Sequence, residues 1–227
     1  MAKVAVIGAG NLGSRHLQGA KLSRETLEMH VVEPASNAME LAKSRFEDVS
    51  TAQYHTTHFH SNIEGIPKEV DVAIIATSSG PRFSILKELL AQSRVHYLIL
   101  EKFLFPRREE YRLAKELIKQ HCPQTWVNCP RRMVPFYQKL KKRLIDAPFM
   151  TMEASGCGWG LASNAIHFFD LFQFLSGDHC IEFDPASQNI SWIDSKRSGY
   201  LEAAGNLRGF SSKQNTINLA SFDQPPT

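Results

Sequence analysis

The chain has little of what marks several large protein classes. No apolar run is long enough to span a bilayer, no block of like charge stands out, and the four cysteines, Cys122, Cys129, Cys157 and Cys180, form no close pair. The first lack argues against a transmembrane helix. The second removes the basic stripe by which a nucleic acid or an acidic membrane is held, since the formal net charge is only +3 with both signs interspersed. The third leaves no CxxC framework for a redox pair or a structural zinc, so free thiols are expected. His55, His58 and His60 are close together, but on a short polar connection they read as a solvated loop, and no metal site is assigned. The chain also starts directly in a strand without a charged, apolar and small-residue leader pattern, which predicts a cytoplasmic location.

What is present begins at once. Lys3-Val4-Ala5-Val6-Ile7 runs into Gly8-Ala9-Gly10-Asn11-Leu12-Gly13, and a lone acid, Glu33, ends the run Met29-His30-Val31-Val32. Strand, glycine turn, helix, strand and acid in that order form the dinucleotide-binding fingerprint. The first glycine permits the tight turn, the second lets the backbone approach a pyrophosphate, and the third lets helix and strand pack closely. The helix start presents N–H groups and a favourable dipole to the phosphates. Glu33 is placed to accept both ribose hydroxyls and would repel a 2′-phosphate, which favours NAD over NADP.

Further along, short apolar runs alternate with amphipathic stretches, as in a parallel sheet with crossover helices. Leu12 to Leu22 and Ser36 to Arg45 are predicted helices, the second with Ser36 as N-cap. Asp71 to Thr77 is a strand apolar on both faces, with Thr77-Ser78-Ser79-Gly80 as a polar turn at its carboxyl end, where open α/β sheets bind ligands. A helix from Pro81 to Gln92 with Ile85, Leu86, Leu89 and Leu90 inward follows, then a strand from Val95 to Leu100 ending in Glu101-Lys102. A helix from Glu109 to Lys119 and a strand from Thr125 to Asn128 complete the unit.

After Pro130 the texture changes. Pro135 to Ile145 reads as an amphipathic helix with Phe136, Tyr137, Leu140 and Leu144 inward. A strand from Met150 to Ser155, a glycine-rich turn around Trp159, an apolar helix from Asn164 to Leu175 stopped by Gly177, and two strand-like pieces, Ile190 to Ile193 and Gly199 to Ala203, follow. The tail to Pro225-Pro226-Thr227 is polar. The expected fold is α/β: an N-terminal Rossmann doubly wound parallel sheet over residues 1–125, then an α+β substrate or dimerisation domain over 126–227, apparently shortened at its C-terminus. An unpaired edge of that second sheet would suit a homo-oligomer.

With these pieces placed, the sequence resembles the glucose-fructose oxidoreductase, inositol dehydrogenase and rhizopine-catabolism family of NAD(P)-dependent sugar oxidoreductases. The residues that carry the resemblance are Gly13-Ser14-Arg15-His16, Ala73 to Thr77, Glu101-Lys102, Asn128 to Arg132, and Ala165-Ile166-His167-Phe168-Phe169-Asp170-Leu171. It implies cofactor contacts from Gly8, Gly10, Asn11, Leu12, Gly13, Glu33, Thr77, Ser78 and Glu101. It implies a catalytic Lys102, which would hold the reacting oxygen, and a catalytic His167, which would move its proton. Arg132, Trp159 and Asn164 are candidates for substrate contact. An arginine there suits a phosphate or carboxylate but is as readily a structural pair, and Trp159 suits a sugar face or a core position. Two positions depart from the family pattern: Ser163 stands where many members carry aspartate, and Phe103 follows the lysine where they carry proline. The expected function is hydride transfer between nicotinamide and a hydroxyl or keto carbon of a sugar or sugar derivative. The alternatives are a non-catalytic or truncated dinucleotide-binding module and a reductase of another acceptor.

Overall fold

The computed structural model describes residues 1–178, 181–195, 199–211 and 213–223. Cys180 and the Pro225–Thr227 tail lie outside them. The chain divides into two compact units, Met1–Asn128 and Cys129–Thr227.

The first unit alternates strands β1 (Ala2–Ile7), β2 (Leu27–Val32), β3 (Thr56–His60), β4 (Glu69–Ile75), β5 (Arg94–Leu100) and β6 (Thr125–Val127) with helices α1 (Gly13–Lys21), α2 (Ser36–Glu47), α3 (Ser79–Gln92) and α4 (Arg108–His121). All neighbours are parallel, in the order β3-β2-β1-β4-β5-β6. This is the doubly wound order, reversing between β1 and β4, and it is at the carboxyl ends of the strands at such a reversal that open α/β sheets bind ligands. The central strands are apolar on both faces because helices cover both. Ala5, Ile7, Ala73, Ile75 and Leu98 pack with α3 residues Leu86 and Leu89 on one side, and Val4, Val6, Met29, Val31 and Ile74 pack with Leu17 of α1 on the other.

Two local expectations change. Ser36 is the first residue of α2, and Ala35 occupies the cap position with no side-chain cap bond. The histidine stretch is not a solvated loop, because Thr56–His60 pairs with β2 in register, His58 opposite His30 and His60 opposite Val32. Backbone pairing at a sheet edge outweighs the polarity that made the segment look like a connection.

The second unit contains α5 (Pro135–Arg143), β7 (Thr151–Cys157), α6 (Leu161–Ser176), β8 (Glu182–Phe183), β9 (Asn189–Asp194), β10 (Leu201–Phe210) and β11 (Thr216–Phe222). The sheet runs β7-β11-β10-β8, with β9 also on β10. Only β7 and β11 are parallel; β10 is antiparallel to its neighbours. Helix α6 lays Leu161, Ala165 and Phe172 on Ala203, Ile217 and Leu219 of the sheet and ends at Gly177, whose left-handed φ of 73° serves as the stop. Phe136 on α5 is 65% exposed and does not turn inward as its spacing suggested. Among the described residues no helix is long and apolar enough to cross a membrane.

Candidate functional site

The glycine turn links β1 to α1 in a conformation that side chains would prevent. Gly8 has φ +85°, and a Cβ there would lie 2.7 Å from Thr77 Cγ2 and 2.8 Å from the Thr77 nitrogen. A Cβ on Gly13 would lie 1.8 Å from the Gly8 carbonyl oxygen, so only glycine lets α1 start so close to the strand. Gly10 differs, since nothing lies within 4 Å of the position a Cβ would take. Its outer face is open. The N-cap residue of α1, Leu12, makes no side-chain cap bond; the Ser14 and Arg15 N–H groups donate to the Gly10 and Leu12 carbonyls at 3.0 and 2.9 Å, and it is the positive end of the helix dipole that faces the turn. Asn11 and Leu12 are exposed at this rim. Arg45 of α2 reaches back to it, donating to Ser14 Oγ at 2.7 Å and to the Asn11 carbonyl at 3.3 Å.

The carboxyl ends of β2 and β4 flank the turn. Glu33 follows β2, half-buried, and its Oε1 accepts the Ala35 N–H at 3.1 Å, which orients the carboxylate. Thr77 follows β4, and its Oγ1 is buried without a hydrogen-bond partner. Ser78, exposed, is the N-cap position of α3. An open face on the middle glycine, a helix start with no side chain over it, an acid at the end of β2 and an unanswered hydroxyl opposite fit a dinucleotide.

Beyond β5 the chain turns through Glu101 and Lys102. Glu101 is 2% exposed, and its Oε1 accepts from His16 Nε2 at 2.6 Å and Asn128 Nδ2 at 2.5 Å. Burial opposes its charge, but the bonds from His16 and Asn128 prevail and hold the carboxyl below the usual range. A group with a depressed folded pKa contributes stability that is present above its unfolded value and is lost as pH falls through the folded one. Glu101→Gln is therefore expected to flatten the acid side of a urea-midpoint against pH profile; an unchanged acid limb would contradict this.

The turn is fixed from beneath by Arg82 of α3, itself 2% exposed. Its Nη1 donates to the carbonyls of Glu101 at 2.7 Å, Phe103 at 2.5 Å and Leu104 at 3.0 Å, and its Nη2 donates to the Thr77 carbonyl. One guanidinium thus ties the end of β4 to the segment that carries Lys102, which is half-buried.

In the second unit a concavity of about 520 Å³ is lined by Arg131, Ser155, Cys157, Trp159, Asn164 and Phe168, among others. Two candidates for substrate contact, Trp159 and Asn164, are here. Trp159 Nε1 donates to the Ala220 carbonyl at 2.8 Å, and Asn164 Nδ2 donates to the Trp159 carbonyl at 2.5 Å. Arg132 is engaged elsewhere, in a two-point ion pair with the Asp170 carboxylate, and is not a lining residue. Its neighbour Arg131 lines the concavity, 4.0 Å above the Phe168 ring. His167 is half-buried on α6. At the start of α6 the Glu202 carboxylate accepts the Ser163 N–H at 3.2 Å and the Ala203 N–H at 2.8 Å. Burial opposes its ionisation, but the Ser163 hydroxyl, together with these backbone N–H groups, outweighs it and depresses its pKa.

Sequence reasoning missed Arg82, Arg45 and Glu202, and did not connect His16, Glu101 and Asn128. Arg82 alone carried a signal, being four and seven residues before Leu86 and Leu89, on the face that must be buried.

A search of curated protein sequences gives no match. Among solved structures, myo-inositol dehydrogenase from Lactobacillus casei, in complex with NAD(H) and myo-inositol, matches 98% of this chain and 67% of its own at 19% identity and a TM-score of 0.70. A putative myo-inositol dehydrogenase from Sinorhizobium meliloti matches 99% of this chain and 70% of its own at 13% identity and a TM-score of 0.71. The WlbA dehydrogenase from Thermus thermophilus, in complex with NAD and α-ketoglutarate, matches 99% and 74% at 21% identity and a TM-score of 0.61. At such identities the likeness is one of fold, and the chain spans two thirds to three quarters of their lengths. The family model described as "Oxidoreductase family, NAD-binding Rossmann fold" matches residues 2–129, and with the glycine turn and strand order already in place the chain belongs to that family, Gfo/Idh/MocA.

Proposed function

We propose that the protein is an NAD-dependent oxidoreductase that moves a hydride between nicotinamide and a hydroxyl or keto carbon of a sugar or sugar derivative. The observation that carries the reading is the open outer face of Gly10 beside the start of α1, which no side chain caps, and Glu33. Gly8, Gly10, Asn11, Leu12 and Gly13 would hold the pyrophosphate, Glu33 the adenosine ribose, and Thr77, Ser78 and Glu101 the nicotinamide half. Bound NAD would supply the hydride acceptor, and the protein must orient the substrate carbon and handle one proton. Lys102 is the proposed donor to the reacting oxygen, where its charge stabilises a developing alkoxide. His167 is the proposed proton acceptor, a role that suits an imidazole near neutral pH. Trp159, Asn164 and Arg131 supply an aromatic face, an amide and a cation in one concavity, which suits a polyhydroxylated ring. The L. casei structure holding myo-inositol supports a cyclic polyol as the first compound to try.

Two variants test the cofactor half without reference to turnover. Gly10→Ala adds a methyl group that meets no protein atom, so the unfolding free energy should change by less than about 1 kcal/mol. NAD binding by calorimetry should weaken by about tenfold or more, because the methyl group stands where the pyrophosphate must approach. Equal NAD affinity in the variant would place the dinucleotide elsewhere. Glu33→Ala removes the carboxylate that repels a 2′-phosphate and is expected to raise NADP affinity relative to NAD by about tenfold, or 1.4 kcal/mol. An unchanged preference in paired titrations would remove Glu33 from the ribose site.

A further inference from the structure

At the edge of the first sheet, away from the glycine turn, Glu28 and His30 of β2 and His58 and His60 of β3 share one face, since Glu28 is in register with Thr56, His30 with His58 and Val32 with His60. The rings are stacked, His30 on His58 with centroids 4.9 Å apart and His30 on His60 at 5.4 Å. Glu28 Oε1 lies 3.0 Å from His30 Nε2, and Glu28, His30 and His58 each offer a ligand atom within 4.8 Å of the others'.

We propose that Glu28, His30 and His58 form a binding site for a divalent transition metal of the zinc type, with His60 orienting His30 from behind. In a zinc site the bonds of about 2.0–2.1 Å set neighbouring ligand atoms about 3.3 Å apart. The Glu28–His30 pair already has nearly that spacing, and His58, exposed on the edge strand, needs only a side-chain adjustment to close the third corner. Three protein ligands leave the fourth position to water. Two imidazoles with a single carboxylate select zinc, nickel, cobalt or copper over calcium and magnesium, which want more oxygen. His30 Nδ1 is 3.2 Å from His60 Nε2, so with a metal on Nε2 the remaining ring N–H donates to His60. That is the outer partner by which ligating histidines are held in orientation. His30 is 6% exposed on the sheet, which fixes the corner ligand.

The test is equilibrium dialysis of the untagged full chain against Zn2+ followed by metal analysis, on the unaltered protein and on His58→Ala, Glu28→Gln and His60→Ala. His58 is exposed and the Glu28 side chain is 22% exposed, so both of these variants should fold, and NAD titration verifies that each does. One Zn2+ per chain is expected in the unaltered protein, lost in His58→Ala and Glu28→Gln and weakened about 10–100-fold in His60→Ala. A Co2+-loaded sample should show the visible bands of a low-coordinate nitrogen and oxygen site, absent in His58→Ala. No stoichiometric Zn2+ in the unaltered protein, or one Zn2+ retained at equal affinity in His58→Ala, overturns the proposal.

Discussion

Lys102→Ala should lower kcat by about 10²–10³-fold, the range for loss of one preorganised donor to a developing oxyanion, while NAD affinity stays nearly unchanged. The expectation depends on where the charge acts. The glycine turn and Glu33 would carry the cofactor's phosphates and ribose, so removing Lys102 should spare binding there. Lys102 belongs to a segment whose carbonyls on either side, from Glu101, Phe103 and Leu104, are all held by Arg82. The backbone that presents it should therefore keep its shape in the variant. A loss expressed mainly in KM would mean that the lysine binds substrate and transition state equally. Turnover equal to that of the unaltered protein would remove Lys102 from the chemistry.

Arg82→Met should cost about 3 kcal/mol or more in denaturant unfolding. A hydrogen bond to a charged group contributes about 1.5–3 kcal/mol, and a buried carbonyl left without its donor costs about 1–3 kcal/mol. Methionine fills much of the volume and satisfies none of the four carbonyls. Arg82→Lys should fall between, because an ammonium has three donors but no planar fork to span both the Thr77 and the Glu101–Leu104 sides. A loss in Arg82→Met below about 1 kcal/mol would show that water replaces the guanidinium freely. The same variant should lower kcat, because the Lys102 segment is no longer tied to β4.

Where each residue's partners are near in sequence, the chain could be read directly. The β1 turn, its glycines and α1 are specified by spacing alone: Gly13 answers a contact with Gly8 inside the same strand–turn–helix unit, Gly10 leaves its outer face open, and only Gly8 meets a residue distant in sequence, Thr77. The parallel, doubly wound character of the sheet followed from alternation of apolar runs with helices, whereas its six-stranded order is seen only in the structure. β3 was missed because Thr56-Thr57-His58-Phe59-His60 is polar at an edge, where one neighbour supplies all the pairing. β11 was missed although Ile217, Leu219 and Ser221 alternate inward, because Gln214, Asn215, Thr216 and Asn218 make the segment read as a polar tail. Its place between β7 and β10 is a long-range fact. Phe136 shows the converse. Periodicity says which residues share a helix face, but not that anything covers the face.

The candidate site divides in the same way. The glycines, Glu33 and Lys102 belong to local motifs. The bond from His16 to Glu101 spans 85 residues, and no spacing rule connects them. Arg82 was legible only as an inconsistency, a charge on a face otherwise given to leucine, and such conflicts between local pattern and burial are where functional or positioning groups are found.

The most direct test of the account is to mix the protein with NAD and a panel of cyclic polyols and sugars beginning with myo-inositol, and to follow the near-ultraviolet absorbance of NADH. Hydride transfer to NAD, dependent on one member of the panel and lost in Lys102→Ala, is the predicted result. Tight NAD binding with no NADH formed from any member, and no NADH consumed with the corresponding keto compounds, would contradict it.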